Sequence, residues 1–308
     1  MSLETQDNVI PMRGTPERAA QAQGNFYDQE WRLKQDRAEN AAPELPGMNP
    51  RIQRLRKKSF DAEPSLAIER ALHQTAFYKE HNGRYSVPVM RALTFLDHCE
   101  KKTLYFDRDE LIVGERGPEP KAVPTFPELT CHSVEDFRVL NEREKQPYTI
   151  SQGDIDTYER EVIPYWKGRT QRERIFSHVP DEWRAAYEAG CFTEFMEQRA
   201  PGHTVLDGKL YVKGMLDYKR EIQAHLDSLD YKLDVEANDK AEELKAMAIS
   251  CDAAIVFAER HAELLEAEAE KEADPAVAEE LREIAAICRK AVSYTHLTLP
   301  TTLNSWGG

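Results

Sequence analysis

Apolar side chains recur along most of this chain at spacings of three and four, the repeat that places them on one face of an α-helix. The longest such pattern runs from about Asn238 to Glu270, with Leu244, Met247, Cys251, Ile255, Ala258 and Leu265 as its predicted buried stripe. At 1.5 Å per residue, a thirty-residue helix spans roughly 45 Å. Its acidic end, Glu263 to Glu272, is expected to be solvated. Asp274-Pro275 then caps a further helix from Ala276 to about Arg289.

The first half carries shorter helical patterns. Arg51 to Ser59 holds Arg51, Arg54, Arg56, Lys57 and Lys58, with Ile52 and Leu55 three apart, so it predicts an amphipathic helix with an exposed basic face. Pro64 precedes a helix from Ser65 to Asn82, with Leu66, Ile68, Ala71, Leu72 and Phe77 inward and Gly83 closing it. Pro88 opens another, Ser86 to Lys102, with Val89, Ala92, Leu93, Phe95 and Leu96 inward. Further helices are predicted at Ser133–Glu144 and Ser151–Trp166, with a third beginning at Thr170–Phe176. Tyr211–Leu229 is a fourth, with Met215, Leu216, Tyr218, Ile222 and Leu226 apolar. Leu111-Ile-Val-Gly114 is short and branched, which predicts a strand. Gly114, Gly117, Pro118, Pro120, Pro124 and Pro127 follow so closely that a long ordered loop is expected, with Thr125, Phe126 and Glu128 held between prolines.

The chemistry concentrates between Glu182 and Thr204. Asp181 can cap a short helix that Gly190 closes. Phe192, Phe195, Met196 and Arg199 then follow i, i+3, i+4, i+7 and share one face of a second short helix. Pro201 cannot continue it, and Gly202 permits a sharp turn. His203 is thereby placed just past a helix end, beside an apolar face. Such an imidazole is either a substrate contact or a junction residue satisfied by its neighbours, and spacing leaves both open.

Composition narrows the classes. Charged residues make up 31% of the 308, and the net charge of −14 argues against nucleic acid or an anionic membrane as partner. No apolar run approaches the roughly 20 residues of a membrane helix, and the N-terminus lacks a signal pattern, so a cytoplasmic protein is expected. The five cysteines are odd in number, none in C-x-x-C spacing; they are expected to be reduced, buried, small apolar residues. No zinc motif, Walker loop, dinucleotide fingerprint or hydrolase elbow is present, and no metal is expected. Residues 1–48 are polar, with aromatics only at Phe26, Tyr27 and Trp31, and predict a mobile extension.

The run Phe195-Met-Glu-Gln-Arg-Ala-Pro-Gly-His-Thr204 resembles the segment with which glycyl radical enzymes of the pyruvate formate-lyase superfamily line their active site. The likeness extends from about Arg51 to Lys290. It includes Glu63-Pro64, Ile68-Glu69-Arg70-Ala71, Glu110-Leu-Ile-Val-Gly-Glu115, Pro124-Thr-Phe-Pro-Glu128 and Met247-Ala-Ile-Ser-Cys-Asp-Ala253. Within the superfamily it points to the dehydratases of trans-4-hydroxy-L-proline. The resemblance implies that residues 49–290 are the mainly α, N-terminal part of a ten-stranded α/β barrel. It implies a glycyl radical, installed by an iron-sulfur activating enzyme that uses S-adenosylmethionine, and a cysteine thiyl that attacks a small substrate. It also implies a homodimer. Phe195 matches a pocket-wall aromatic that packs on the substrate ring, and His203 a histidine near the leaving hydroxyl. Arg199 would support the pocket through carboxylate pairing. Sulfonate-cleaving members carry Gln where His203 stands, which favours a hydroxyl leaving group.

The cysteine and glycine loops of the family would lie beyond Lys290, so no catalytic residue is assigned here and the chain by itself is expected to be inactive. Cys131 and Cys191 do not coincide with the radical cysteine. From Ala291 the resemblance stops, and Ala291–Gly308 resembles translated sequencing-adapter read-through, an expected artefact. A lyase for isethionate or a small diol is the alternative within the superfamily. A non-catalytic helical interaction protein is the alternative outside it. Helices that belong against a barrel should leave apolar faces exposed when alone.

Overall fold

The computed structural model describes residues 47, 49–191, 209 and 213–293, with side chains described as far as residue 290. Among these, the chain is mainly helical. Its elements are α1 Pro50–Asp61, β1 Ser65–Ala67, α2 Glu69–His81, α3 Val87–Lys101, β2 Ala122–Pro124, α4 Val134–Glu142 and α5 Gln152–Glu161. They continue as α6 Ile163–Trp166, α7 Gln171–Phe176, α8 Asp181–Glu188, α9 Met215–Asp227, α10 Ala237–Lys271 and α11 Pro275–Ser293. Helix α11 runs through Ser293; of the expected N-terminal extension 1–48 and tail 291–308, residues 1–46 and 294–308 lie outside the described residues.

The long helix forms as expected and organises one half of the fold, where α3, α9 and α11 pack along α10. Of the expected stripe Leu265 is buried and Leu244, Cys251, Ile255 and Ala258 are half-buried, but the most buried positions are mostly alanines. Ala237, Ala241, Ala246, Ala253, His261, Ala262, Leu265 and Ala269 are buried, whereas Met247 is 52% exposed. Alanines let neighbouring helices approach closely, so close packing, not side-chain bulk, selects the face. The acidic end is solvated on one side only. Leu265 and Ala269 bury against Leu281, Ile284 and Ala285 of α11, while Glu263 and Glu270 stay exposed. On α3, Val89 and Ala92 are buried as expected, but so are Met90 and Cys99, and Phe95 is exposed.

The other half closes around Ile68, Ala71, Phe137, Ile150, Ile155, Tyr158, Val162 and Trp166. Trp166 donates its indole N–H to Thr75 Oγ1 at 2.8 Å, and that hydroxyl donates to the Ala71 carbonyl at 2.6 Å. Local capping closes several of these helices. Ser133 with Asp136 and Thr170 with Glu173 form reciprocal capping boxes, and Gly83 and Gly168 turn the chain at φ 74° and 77°.

Four local expectations fail, three through the gain or lack of a strand partner and one through a proline. Ser65–Ala67 is a strand and not a helical turn, because Ala122–Pro124 offers it a parallel partner in the register Ser65↔Ala122, Leu66↔Val123, Ala67↔Pro124. The Leu66 N–H adds a bond to the Thr149 carbonyl at 2.9 Å. The segment read as all loop therefore contains β2, while Leu111–Gly114 finds no strand partner and is irregular, with Ile112 85% exposed. Ser151–Trp166 is two helices, since Pro164 has no N–H to continue the ladder and the chain breaks at Val162. The basic face of α1 is exposed at Arg54, Lys57 and Lys58 as expected, and it also meets carboxylates: Arg51 pairs with Glu280, and Arg54 and Lys58 both reach Asp109. Hydrogen bonds from Arg54, then from Lys58, hold the Asp109 carboxyl down to about 2.

Candidate functional site

The expected pocket residues Phe195, Arg199 and His203, and the short helix predicted around them, lie outside the described residues. What is described is the frame from which that segment departs. Helix α8 starts after Pro180, so Asp181 lies in the first turn and is not the cap. Its end is as expected. The Gly190 N–H bonds the Tyr187 carbonyl at 2.9 Å and the Cys191 N–H bonds the Ala186 carbonyl at 3.0 Å, with Gly190 at φ 74°. This paired closure is a Schellman motif, and it sets the direction in which the chain leaves α8.

Helix α8 is held to α7 by an aromatic cluster. Phe176 meets Trp183 and Tyr187 edge-on, at 5.4 and 5.0 Å between centroids. The Arg172 guanidinium lies over Phe176 and donates to the Tyr187 hydroxyl at 3.1 Å, and Arg184 donates to the Phe176 carbonyl at 2.7 Å. Helix α7 in turn hangs from the loop after β2. The Gln171 N–H bonds the Glu128 carbonyl at 2.9 Å and the Arg172 N–H bonds that of Leu129 at 3.0 Å.

That loop is braced by Arg70. Its guanidinium grips the Glu128 carboxylate with two nitrogens, donates to the Thr125 carbonyl at 3.3 Å and lies 4.1 Å from the Phe126 ring centre. Two motifs that resemble the superfamily only weakly one by one, Ile68–Ala71 and Pro124–Glu128, are thus one physical unit that leads through α7 and α8 to residue 191. Residue-level reading missed Arg70, because its partner is 58 positions away.

Four of the cysteines sit where burial disfavours the thiolate. Burial pushes the Cys99 thiol up to about 11 and raises Cys131, Cys251 and Cys288 as well, so these stay protonated at neutral pH. Cys131 lies 3.8 Å from the Tyr158 hydroxyl. Cys191 departs from expectation: it is exposed, and not a buried apolar residue. All five cysteines are free. Among the described residues no group of three or more His, Cys, Asp or Glu could hold a metal ion. No helix among them is long and apolar enough to cross a membrane.

The model of the pyruvate formate lyase-like family matches residues 44–295. The chain belongs to that family. Trans-4-hydroxy-L-proline dehydratase of Clostridioides difficile is 42% identical over 270 residues, which are 83% of this chain and 34% of that protein. Isethionate sulfite-lyase of Desulfovibrio desulfuricans is 31% identical over 83% of this chain and 32% of its own length. A crystal structure of the C. difficile hydroxyproline dehydratase, with trans-4-hydroxy-L-proline bound, superposes with a TM-score of 0.76 at 44% identity. The superposition covers 81% of this chain and 31% of that one. The chain therefore spans about a third of the length of these pyruvate formate lyase-like relatives, and its helices correspond to part of their fold.

Proposed function

We propose that the polypeptide carrying this sequence is a glycyl radical dehydratase that removes water from trans-4-hydroxy-L-proline to give a pyrroline-5-carboxylate. The observation that carries this is the 42% identity to the C. difficile dehydratase across 83% of the chain, against 31% to the isethionate enzyme. The run from Phe195 to Thr204 agrees with it.

The glycyl radical implied by the family would supply, through a cysteine thiyl, removal of a hydrogen atom from the ring carbon next to nitrogen and its return at the end of the turnover. The 4-hydroxyl would leave as water with a proton from a carboxyl side chain, the ring nitrogen would give up its proton, and the hydrogen returned to carbon 4 would complete the pyrroline. Phe195 packs on the ring and fixes which hydrogen is presented. His203 donates or relays a hydrogen bond to the departing oxygen. Arg199 pairs with a carboxylate and orients the segment. The partners are an iron-sulfur activating enzyme and a second copy of the full-length protein, in the cytoplasm.

The test is to activate the complete polypeptide anaerobically and supply trans-4-hydroxy-L-proline and isethionate separately. Formation of the pyrroline from hydroxyproline supports the assignment, and turnover of isethionate alone refutes it. His203→Gln should lower kcat by about 100-fold or more, the range of a lost proton-transfer or hydrogen-bonding group. Phe195→Ala should raise KM.

A further inference from the structure

His73 on α2 and His98 on α3 face each other with their Nδ1 atoms 3.1 Å apart and their rings tilted by 56°. Two imidazole nitrogens at this distance form a bond only when one carries a hydrogen and the other a lone pair. The charged groups acting on the pair come from both helices: Glu69 and Arg70 on α2, and Asp97, Lys101 and Lys102 at the end of α3. Several are already engaged. Glu69 accepts from the backbone and hydroxyl of Thr103, Arg70 grips Glu128, and Lys101 pairs with Asp97.

Burial lowers His73 too and Lys101 opposes its charge, but Glu69 and Asp97 both favour it, so of the two rings His73 is the better place for a first proton. It leaves the bond intact, with His73 Nδ1–H donating to a neutral His98. A second proton on His98 sets two N–H groups and two positive charges against each other. Burial, then the charge of His73, then Arg70 and Lys102 oppose it and hold His98 down to about 4.

We infer that His73 and His98 form an acid-sensitive joint between α2 and α3, closed while the pair carries at most one proton beyond neutrality and opened by the second. Helix α2 also carries Arg70, so the element that loosens is the one bracing the loop after β2. This inference is independent of the substrate.

The test is an imidazole titration, by NMR, of the complete protein labelled with carbon-13 histidine. Two coupled midpoints are expected, the lower near 4, and His73→Asn should move the His98 midpoint upward. In parallel, the melting temperature of the wild type should fall faster between pH 6 and 4 than that of His98→Asn, whose amide can bond His73 but does not titrate. A His98 midpoint near the ordinary value and indifferent to His73→Asn would overturn the joint, as would parallel melting curves. Should His98→Asn fail to fold, the titrations of wild type and His73→Asn decide alone.

Discussion

The brace between Arg70 and Glu128 can be tested quantitatively. Both side chains are about one-fifth exposed, at 19% and 22%. Fully exposed ion pairs contribute roughly 0.2–1 kcal/mol, whereas removing one partner of a buried pair costs roughly 3–5 kcal/mol, because the survivor is left charged and unsolvated. The observed burial lies nearer the second case but leaves water partial access. The guanidinium also lies over Phe126, worth about 0.5–1 kcal/mol at such a site. The bonds to Thr125 O at 3.3 Å and Gln74 Oε1 at 3.4 Å are long and add little. Arg70→Met should therefore destabilise by about 2–3 kcal/mol. Arg70→Lys should recover only part of that, since an ammonium cannot engage both carboxylate oxygens at once. Glu128→Gln in the Arg70→Met background should cost nothing further or restore stability, because the orphaned charge is gone.

Equilibrium urea unfolding of the wild type, Arg70→Met, Glu128→Gln and the double variant measures the coupling. Hydrogen exchange at the Gln171 and Arg172 amides reads its spread, since both hang from the braced loop. If Arg70→Met lost less than about 0.5 kcal/mol, the scale of a neutral surface change, and those amides exchanged as in the wild type, the brace would be refuted.

Other expectations are narrower. Thr75→Val keeps the volume but strands the buried Trp166 N–H, so a loss of about 1–3 kcal/mol is expected, and Thr75→Ser should retain the bond; urea midpoints separate the two. Asp109 titrates near 2 when folded, below its ordinary value, so its contribution is present above about pH 4 and is lost as pH falls toward 2. Asp109→Asn should accordingly flatten the acid limb of a stability–pH curve. Among the described residues Ile112, Leu233 and Val235 are 85%, 85% and 99% exposed, so the 308-residue chain alone should bind hydrophobic dyes. A dye-silent monomer with a sharp, cooperative melt would contradict this.

The frame of the candidate site was legible only in part, and the expected pocket segment lies outside the described residues. The Phe195–Thr204 run stands out because ten consecutive residues with an aromatic, a proline, a glycine and a histidine carry their own signal. The closure of α8 was equally readable, since Gly190 supplies the positive φ locally. Arg70 and Glu128 were visible only as members of two separate motifs, and the His73–His98 pair not at all. Their partners are 58 and 25 positions apart, and no periodicity links a side chain on one helix to a residue on another element.

The amino-acid order by itself determined the helices, their caps and the family, because capping, proline placement and three-to-four periodicity act within a few residues. Tertiary packing decided which face of α10 is buried, that Ser65–Ala67 is a strand and that the basic turns of α1 meet carboxylates. Each of those outcomes depends on a partner surface supplied by a distant part of the chain: small residues that admit close helix approach, a free strand edge, or an opposite charge.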